Sequence, residues 1–194
     1  MANITIFGQG NMGQAIASVF TSGGHQVDFV GKEGLAGPAG PAGDVVVLAV
    51  PYAAVPSIIE ANKEALTGKI LVDISNPVNF ENMDELVTPV DSSAAEEIAK
   101  LIPEARVVKG FNTTFAATLA TKSVAGEETT TVQLASDDQE AKDIVAGYIQ
   151  EGGLNTIDAG ALKRARELEA MGFLQITLAA REQLNWTAGF AVIK

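Results

Sequence analysis

Ile4-Thr5-Ile6-Phe7-Gly8-Gln9-Gly10-Asn11-Met12-Gly13-Gln14-Ala15-Ile16 opens the chain with a short apolar run that breaks into glycines and then turns helical. Each glycine has a separate backbone task. Gly8 lets a strand turn sharply, Gly10 carries no Cβ to hold a phosphate away, and Gly13 lets a helix pack close to the sheet. Such a turn leaves unpaired N–H groups at the positive end of a helix dipole. The flanks complete the pattern, because Ile4, Ile6 and Phe7 suit a buried strand while Ile16, Val19 and Phe20 recur at helical spacing. Strand, glycine turn and helix together make a dinucleotide-binding fingerprint.

Outward from this stretch, strand and helix patterns alternate, which predicts an α/β fold: a Rossmann-like, doubly wound, mostly parallel sheet with a C-terminal helical extension. Gln26 to Val30 reads as a second strand, and Asp44 to Pro51 as a third, the most apolar and therefore central. Pro56 to Leu66 reads as a helix, Gly68 to Ile74 as a strand, Ser92 to Ile102 as a helix capped by Ser92 or Ser93 with Glu96 reciprocating, and Arg106 to Phe111 as a strand. A further strand (Thr129 to Ala135), helix (Asp138 to Gln150) and strand (Leu154 to Asp158) follow. Beyond Gly160 the spacing predicts one long helix through Leu178 with Leu162, Leu168, Met171, Leu174, Ile176 and Leu178 facing the core. Residues 1–158 are expected to form the nucleotide-binding domain and 159–194 a helical segment packed on it. Between the second and third strands Gly34 to Gly43 carries glycine at every third position with proline, three triplets being far too few for a collagen helix. A loop replacing a deleted helix is expected there, leaving that sheet edge open.

Composition removes other classes. Of 194 residues, 47% are hydrophobic, enough for a sizeable core, and no apolar run approaches the roughly 20 residues of a membrane span. The first strand begins almost at Met1 with no signal peptide before it, so a cytoplasmic location is expected. Zero cysteines exclude disulfides, Fe–S ligation and thiolate catalysis, and a single histidine excludes a multi-histidine metal site; no metal is expected. A net charge of −11 argues against nucleic acid and anionic membranes as partners. An anionic cofactor would then be held by amides and a few basic residues.

The end of the second strand selects the cofactor. NAD sites place Asp or Glu there for the ribose 2′-hydroxyl, whereas a 2′-phosphate needs a short residue and a cation. Gly31 and Lys32 fit the second case and favour NADP(H), although Glu33 could reach a ribose.

The chain resembles the coenzyme F420-dependent NADP oxidoreductases, together with the cytosolic domain of the metalloreductases called six-transmembrane epithelial antigens of prostate. Five blocks carry the resemblance in order: Phe7 to Gly13, Ala49-Val50-Pro51-Tyr52, Asp73 to Pro77, Val108 to Thr113, and Asp158 to Leu162 running into Ala165 to Glu169. It implies that Gln9, Asn11 and Met12 donate amides to the pyrophosphate and that Gly31 and Lys32 hold the 2′-phosphate. Val50, Pro51 and Tyr52 would flank the ribose and phosphate, while Asn76, Asn112 and Thr113 frame the nicotinamide. The family usually has serine and arginine where this chain has Gly31 and Lys32, which replaces a forked grip by a point charge. The activity implied is hydride transfer between NADPH and a small-molecule acceptor, flavin-like or a deazaflavin of the F420 type, in a homodimer. The alternatives are a non-catalytic NADP(H)-binding redox sensor and an imine reductase related to pyrroline-5-carboxylate reductase, the latter calling for a longer helical dimerisation domain.

Hydride transfer needs stacking at about 3–3.5 Å and exclusion of water rather than a strong acid or base, and no catalytic residue is assigned. His25 reads as a solvated turn residue, Lys109 as a strand-end lysine facing solvent, and Asp73 and Asp91 as surface carboxylates. Lys163 to Glu169, with opposite charges three and four residues apart, reads as a solvated helical face. Trp186 and Phe190 are assigned to the substrate cleft, by resemblance to C-terminal segments of the family.

Overall fold

The computed structural model describes residues 1–31 and 42–193. The strands are β1 (Asn3–Phe7), β2 (Gln26–Val30), β3 (Val45–Leu48), β4 (Ile70–Asp73), β5 (Arg106–Lys109), the short pair β6 (Ser123–Val124) and β7 (Glu128–Thr129), β8 (Thr131–Ala135) and β9 (Asn155–Gly160). The helices are α1 (Asn11–Ser22), α2 (Val55–Leu66), α3 (Ala94–Leu101), α4 (Ala116–Thr121), α5 (Gln139–Glu151) and α6 (Ala165–Ala180). Seven strands make one sheet in the order β2-β1-β3-β4-β5-β8-β9. Strands β2 to β5 run parallel, β8 is antiparallel to β5, and β9 is parallel to β8. This is the doubly wound, mostly parallel α/β architecture that the sequence pattern predicts, with a C-terminal helix.

Alternate side chains feed two layers. Val45 and Val47 pack with Ile16, Phe20, Leu119 and Val145 on the side of α1, α4 and α5. Val46 and Leu48 pack with Val55, Ile58 and Ile98 beneath α2 and α3. All four β3 side chains are fully buried, which is why this strand is written Val-Val-Val-Leu without alternation. Strand β3 is the middle of the five parallel strands, as its apolarity suggests. At the edge, β2 pairs with β1 and with nothing on its other side among the described residues. The expected loop from Gly34 to Gly43 lies, except for Ala42 and Gly43, outside the described residues.

The glycine turn has the geometry its spacing requires. Gly8 has a φ of 106°, and a Cβ on it would stand 2.2 Å from the Ala49 carbonyl oxygen; a Cβ on Gly13 would stand 2.3 Å from the Gly8 carbonyl oxygen. Gly13 thus lets α1 close onto the turn. A Cβ on Gly10 would meet nothing within 4 Å and would project into open space. Other helix starts also follow local signals: Ser93 accepts from the Glu96 N–H at 3.1 Å, and Asp138 accepts from the Ala141 N–H at 2.9 Å. The reciprocal contact at α3 differs from a capping box, because the Ser93 hydroxyl donates to the Glu96 carboxylate at 2.9 Å.

Two expectations are corrected. The segment after Gly160 is a 3₁₀ turn (Leu162–Arg164) followed by α6, and the buried face of α6 is Ala165, Leu168, Glu169, Gly172, Gln175 and Ala179. Leu174 is exposed, and Met171, Ile176 and Leu178 are only partly covered. Helical spacing alone picked the apolar stripe, whereas close approach to the strand ends selected small and polar side chains. His25 is buried rather than solvated. Its Nδ1 accepts from the Ala2 N–H at 3.3 Å and its Nε2 donates to Glu151 at 2.8 Å, with the ring 4.2 Å from that of Tyr148.

The two glycines predict unequal responses to one methyl group. Gly13→Ala is expected to cost about 2–4 kcal/mol of stability, and Gly10→Ala less than about 1 kcal/mol. Urea denaturation midpoints of the two variants measure the difference.

Candidate active site

At the C-terminal ends of the parallel strands lies a cleft of about 640 Å³. An open α/β sheet takes its ligand at this edge, where successive loops diverge. The turn after β1 supplies Gly10, Asn11 and Met12, the turn after β3 supplies Ala49, Val50, Pro51 and Tyr52, and the turn after β4 supplies Ile74, Ser75 and Asn76. Asn112, Thr114 and Phe115 come from the turn after β5, Ile176 from α6, and Phe80 and Trp186 from the rim. No charged side chain lines the cleft among the described residues.

Eight of the residues singled out by sequence therefore meet in one space: Gly10, Asn11, Met12, Val50, Pro51, Tyr52, Asn76 and Asn112. Gly8, Gln9 and Gly13 form the supporting turn. Gly31 adjoins that turn, since the Gly8 N–H donates to the Val30 carbonyl at 3.0 Å and a Cβ on Gly31 would stand 3.2 Å from the Gln9 amide nitrogen. Lys32 lies outside the described residues. Thr113 is buried below the cleft rather than in its lining, with its carbonyl accepting from Gln175 at 3.3 Å. Trp186 reaches the rim and stacks on Phe115, ring centroids 4.8 Å apart.

The turn after β5 is held by an unusual backbone. Phe111, fully buried, adopts a φ of 63°, and the Asn112 N–H donates to the Gly110 carbonyl at 2.8 Å. A bulky residue occupies this left-handed region only where its surroundings hold it there. The reversal brings Asn112 to Asn76: Asn76 Nδ2 donates to the Asn112 carbonyl at 2.8 Å, and Asn112 Nδ2 donates to Asn76 Oδ1 at 3.0 Å and to the Leu168 carbonyl at 2.8 Å. Gly172 of α6 lies directly behind, where a Cβ would fall 2.3 Å from Asn76 Oδ1. Three buried oxygens here, Ser75 Oγ, Asn112 Oδ1 and Thr113 Oγ1, have no hydrogen-bond partner among the described residues.

Below this floor lies a charge cluster that sequence spacing missed. Lys109 Nζ donates to Asp73 at 2.7 Å, to the Ser75 carbonyl at 2.6 Å and to Glu169 at 2.8 Å, and none of the three side chains is more than 1% exposed. Lys109 and Asp73 are therefore interior residues, and Glu169 does not belong to a solvated helical face. Glu169 also accepts from the N–H groups of Ala94 and Ala95, at 2.9 and 3.4 Å, and so caps α3 from α6. Burial pushes the Glu169 carboxyl above its ordinary value of 4.5; Lys109 opposes the shift and the charge of Asp73 adds to it. Tyr52 follows the same field. Burial, then the charges of Glu97, Glu169 and Asp73, push its phenol above 10.0, so it remains a donor at neutral pH.

The starts of α3 and α1 near this region differ. The first turn of α3 is closed by Glu169 and Ser93, whereas α1 has no side-chain cap and no acidic residue in its first turn. The positive end of α1 is left open beside the cleft, in the position where an anion is stabilised.

Comparison with known proteins gives the chain a family. A family model described as NADP oxidoreductase, coenzyme F420-dependent, matches residues 37–77. The F420-dependent NADP reductase of Methanocaldococcus jannaschii is 33% identical over 159 residues, covering 80% of this chain and 70% of the relative. The chain belongs to the coenzyme F420-dependent NADP oxidoreductase family. A crystal structure of a candidate F420-dependent NADP reductase from Arthrobacter sp. FB24 matches this chain over 100% of both chains, with a TM-score of 0.84 and 26% identity. Metalloreductase STEAP3 of Rattus norvegicus is 37% identical over 108 residues, or 56% of this chain, and the chain spans only 21% of that relative.

Lys109→Met would leave Asp73 and Glu169 buried without their cation and is expected to cost about 3–5 kcal/mol in urea denaturation. The raised Glu169 carboxyl has its own pH signature. The folded chain binds that proton more tightly than the unfolded one, so this stabilisation is complete below 4.5 and is lost as pH rises through the folded value. Glu169→Gln is expected to flatten the stability profile over that rise, as read by thermal melts along a pH series.

Proposed function

We propose that this oxidoreductase transfers hydride between NADPH and a flavin-like or deazaflavin acceptor of the F420 type, in the cytoplasm and as a homodimer. The observation that carries the reading is the pairing of an open α1 N-terminus with an uncharged cleft whose floor holds unpartnered polar oxygens. The residues present fit a dinucleotide. The turn has space for phosphate above Gly10, and the first amides of α1 are free of side-chain caps.

In this reading residues 1–158 bind the nucleotide and 159–194 complete the acceptor side. Gln9, Asn11 and Met12 offer backbone N–H groups to the pyrophosphate. Gly31 leaves space for the ribose substituent, and Lys32 supplies the cation for a 2′-phosphate. Val50, Pro51 and Tyr52 flank the ribose and phosphate, with the protonated Tyr52 hydroxyl available as a donor. Asn76 and Asn112 frame the nicotinamide, with Thr113 supporting the same turn from below. NADPH supplies the hydride. The protein's part is to hold two rings face to face and to exclude water, for which Phe80, Phe115, Ile176 and Trp186 provide apolar walls.

Gly10→Val is expected to abolish NADPH binding in calorimetry while the fold survives, because the side chain enters only the open space above the turn. Lys32→Ala is expected to weaken NADPH by about tenfold and NADH much less; equal losses would remove Lys32 from the 2′-phosphate. Turnover is tested by adding F420, FMN and FAD to the NADPH complex and following the NADPH absorbance. Oxidation by one of them supports the reading, whereas tight binding without oxidation would favour a redox sensor.

A further inference from the structure

The buried cluster behind the cleft is not balanced in charge. Lys109 brings one cation against the two carboxylates of Asp73 and Glu169, and none of the three side chains is more than 1% exposed. Both oxygens of each acid accept from a donor, the pattern of ionised carboxylates. Asp73 takes the Ser75 N–H at 2.9 Å on one oxygen and Lys109 at 2.7 Å on the other. Glu169 takes Lys109 at 2.8 Å on one oxygen and the Ala94 N–H at 2.9 Å on the other. One negative charge is left in excess, where solvent does not screen it.

A single residue separates this charge from the cleft. Ser75 lines the cleft, with its N–H held by Asp73 and its carbonyl accepting from Lys109 at 2.6 Å. Asn112, also in the lining, donates to the carbonyl of Leu168, the chain neighbour of Glu169. The lining itself is uncharged among the described residues, so the field that enters the cleft comes from behind it. Tyr52, in the same lining, registers that field: after burial, the charges of Glu97, Glu169 and Asp73 push its phenol up.

We propose that the cluster of Lys109, Asp73 and Glu169 tunes the bound nicotinamide, favouring NADP⁺ over NADPH and so making NADPH a stronger hydride donor than it would be over a neutral floor. This rests on the reading above, in which the cleft holds the nicotinamide. Loss of hydride to the acceptor removes two electrons and one proton from NADPH and leaves a positive charge on its ring, while the reduced acceptor takes its balancing proton from solvent. The excess negative charge attracts the oxidised ring and has no such hold on the neutral reduced one. At an effective dielectric of about 20, a unit charge acting through a buried wall is enough to change an affinity by about tenfold. Lys109, Asp73 and Glu169 are enclosed and act through space as positioning residues.

Calorimetric dissociation constants of NADP⁺ and NADPH for the full chain at neutral pH test the tuning. Glu169→Gln and Asp73→Asn each remove one negative charge with little change of shape. Each is expected to raise the ratio of the NADP⁺ to the NADPH dissociation constant by about tenfold, which raises the two-electron potential of the bound cofactor by about 30 mV. A loosened floor would weaken both nucleotides together and leave the ratio alone, so the ratio separates charge from structure. Glu167→Gln removes the same charge from α6 where the side chain is 61% exposed, and is expected to change the ratio by less than about twofold. Either buried variant is sufficient once circular dichroism shows it folded. A folded variant whose ratio matches that of the wild type would overturn the tuning and leave the nucleotide site standing, as would an equal shift in Glu167→Gln. A wild type that binds neither nucleotide would remove the reading of the cleft and the tuning with it.

Discussion

A lysine without exposed surface must be matched by charge wherever the chain places it, and much of this molecule is arranged around that requirement. Lys109 ends β5, Asp73 ends the neighbouring β4, and Glu169 arrives from α6. An unpaired interior ammonium would be costly by several kcal/mol, so the three side chains cannot separate without loss. The second oxygen of Glu169 binds the first amide of α3, which ties a fourth element to the same point. Helix α6 is thereby held at a fixed distance from the strand ends. Only at that distance do Gly172 and the Leu168 carbonyl meet the Asn76–Asn112 pair.

Helix termini divide the labour around this point. Of the helices that begin near the ligand edge, the protein closes the start of α3 and leaves that of α1 open. Glu169 and Ser93 use up the first amides of α3 for internal structure. The first turn of α1, with glycine as its cap and no carboxylate near it, remains available. An acidic chain can hold an anionic ligand in this way, because the favourable potential comes from the backbone and acts only at short range.

What the sequence disclosed follows from how local each signal is. The parallel strands were legible because strands buried on both faces are uninterrupted apolar runs, as in Val45 to Leu48. The glycine turn and the strand-end blocks were legible because backbone geometry restricts them to a few residue types. Helix α6 was misjudged because its inward positions were chosen for size and hydrogen bonding, so periodicity marked the opposite side. Lys109, Glu169 and His25 were hidden for a further reason: Glu169 lies 60 residues from Lys109, and Glu151 lies 126 residues from His25. No spacing rule reaches so far. Phe80 and Phe115 likewise join the cleft wall through tertiary placement.

The position of His25 reaches beyond its packing. The only imidazole in the chain sits at the turn between α1 and β2, at the end of the sheet opposite the cleft, with one nitrogen occupied by the Ala2 amide and the other by Glu151. The side chain best suited to exchange protons near neutrality is thus spent on joining the start of β1 to the end of α5. In the reaction proposed here, a proton that accompanies the hydride would be exchanged by the acceptor with solvent. A bend in the rate near neutral pH would then be sought in the acceptor ring, the 2′-phosphate of NADPH or the buried Glu169 rather than in the imidazole.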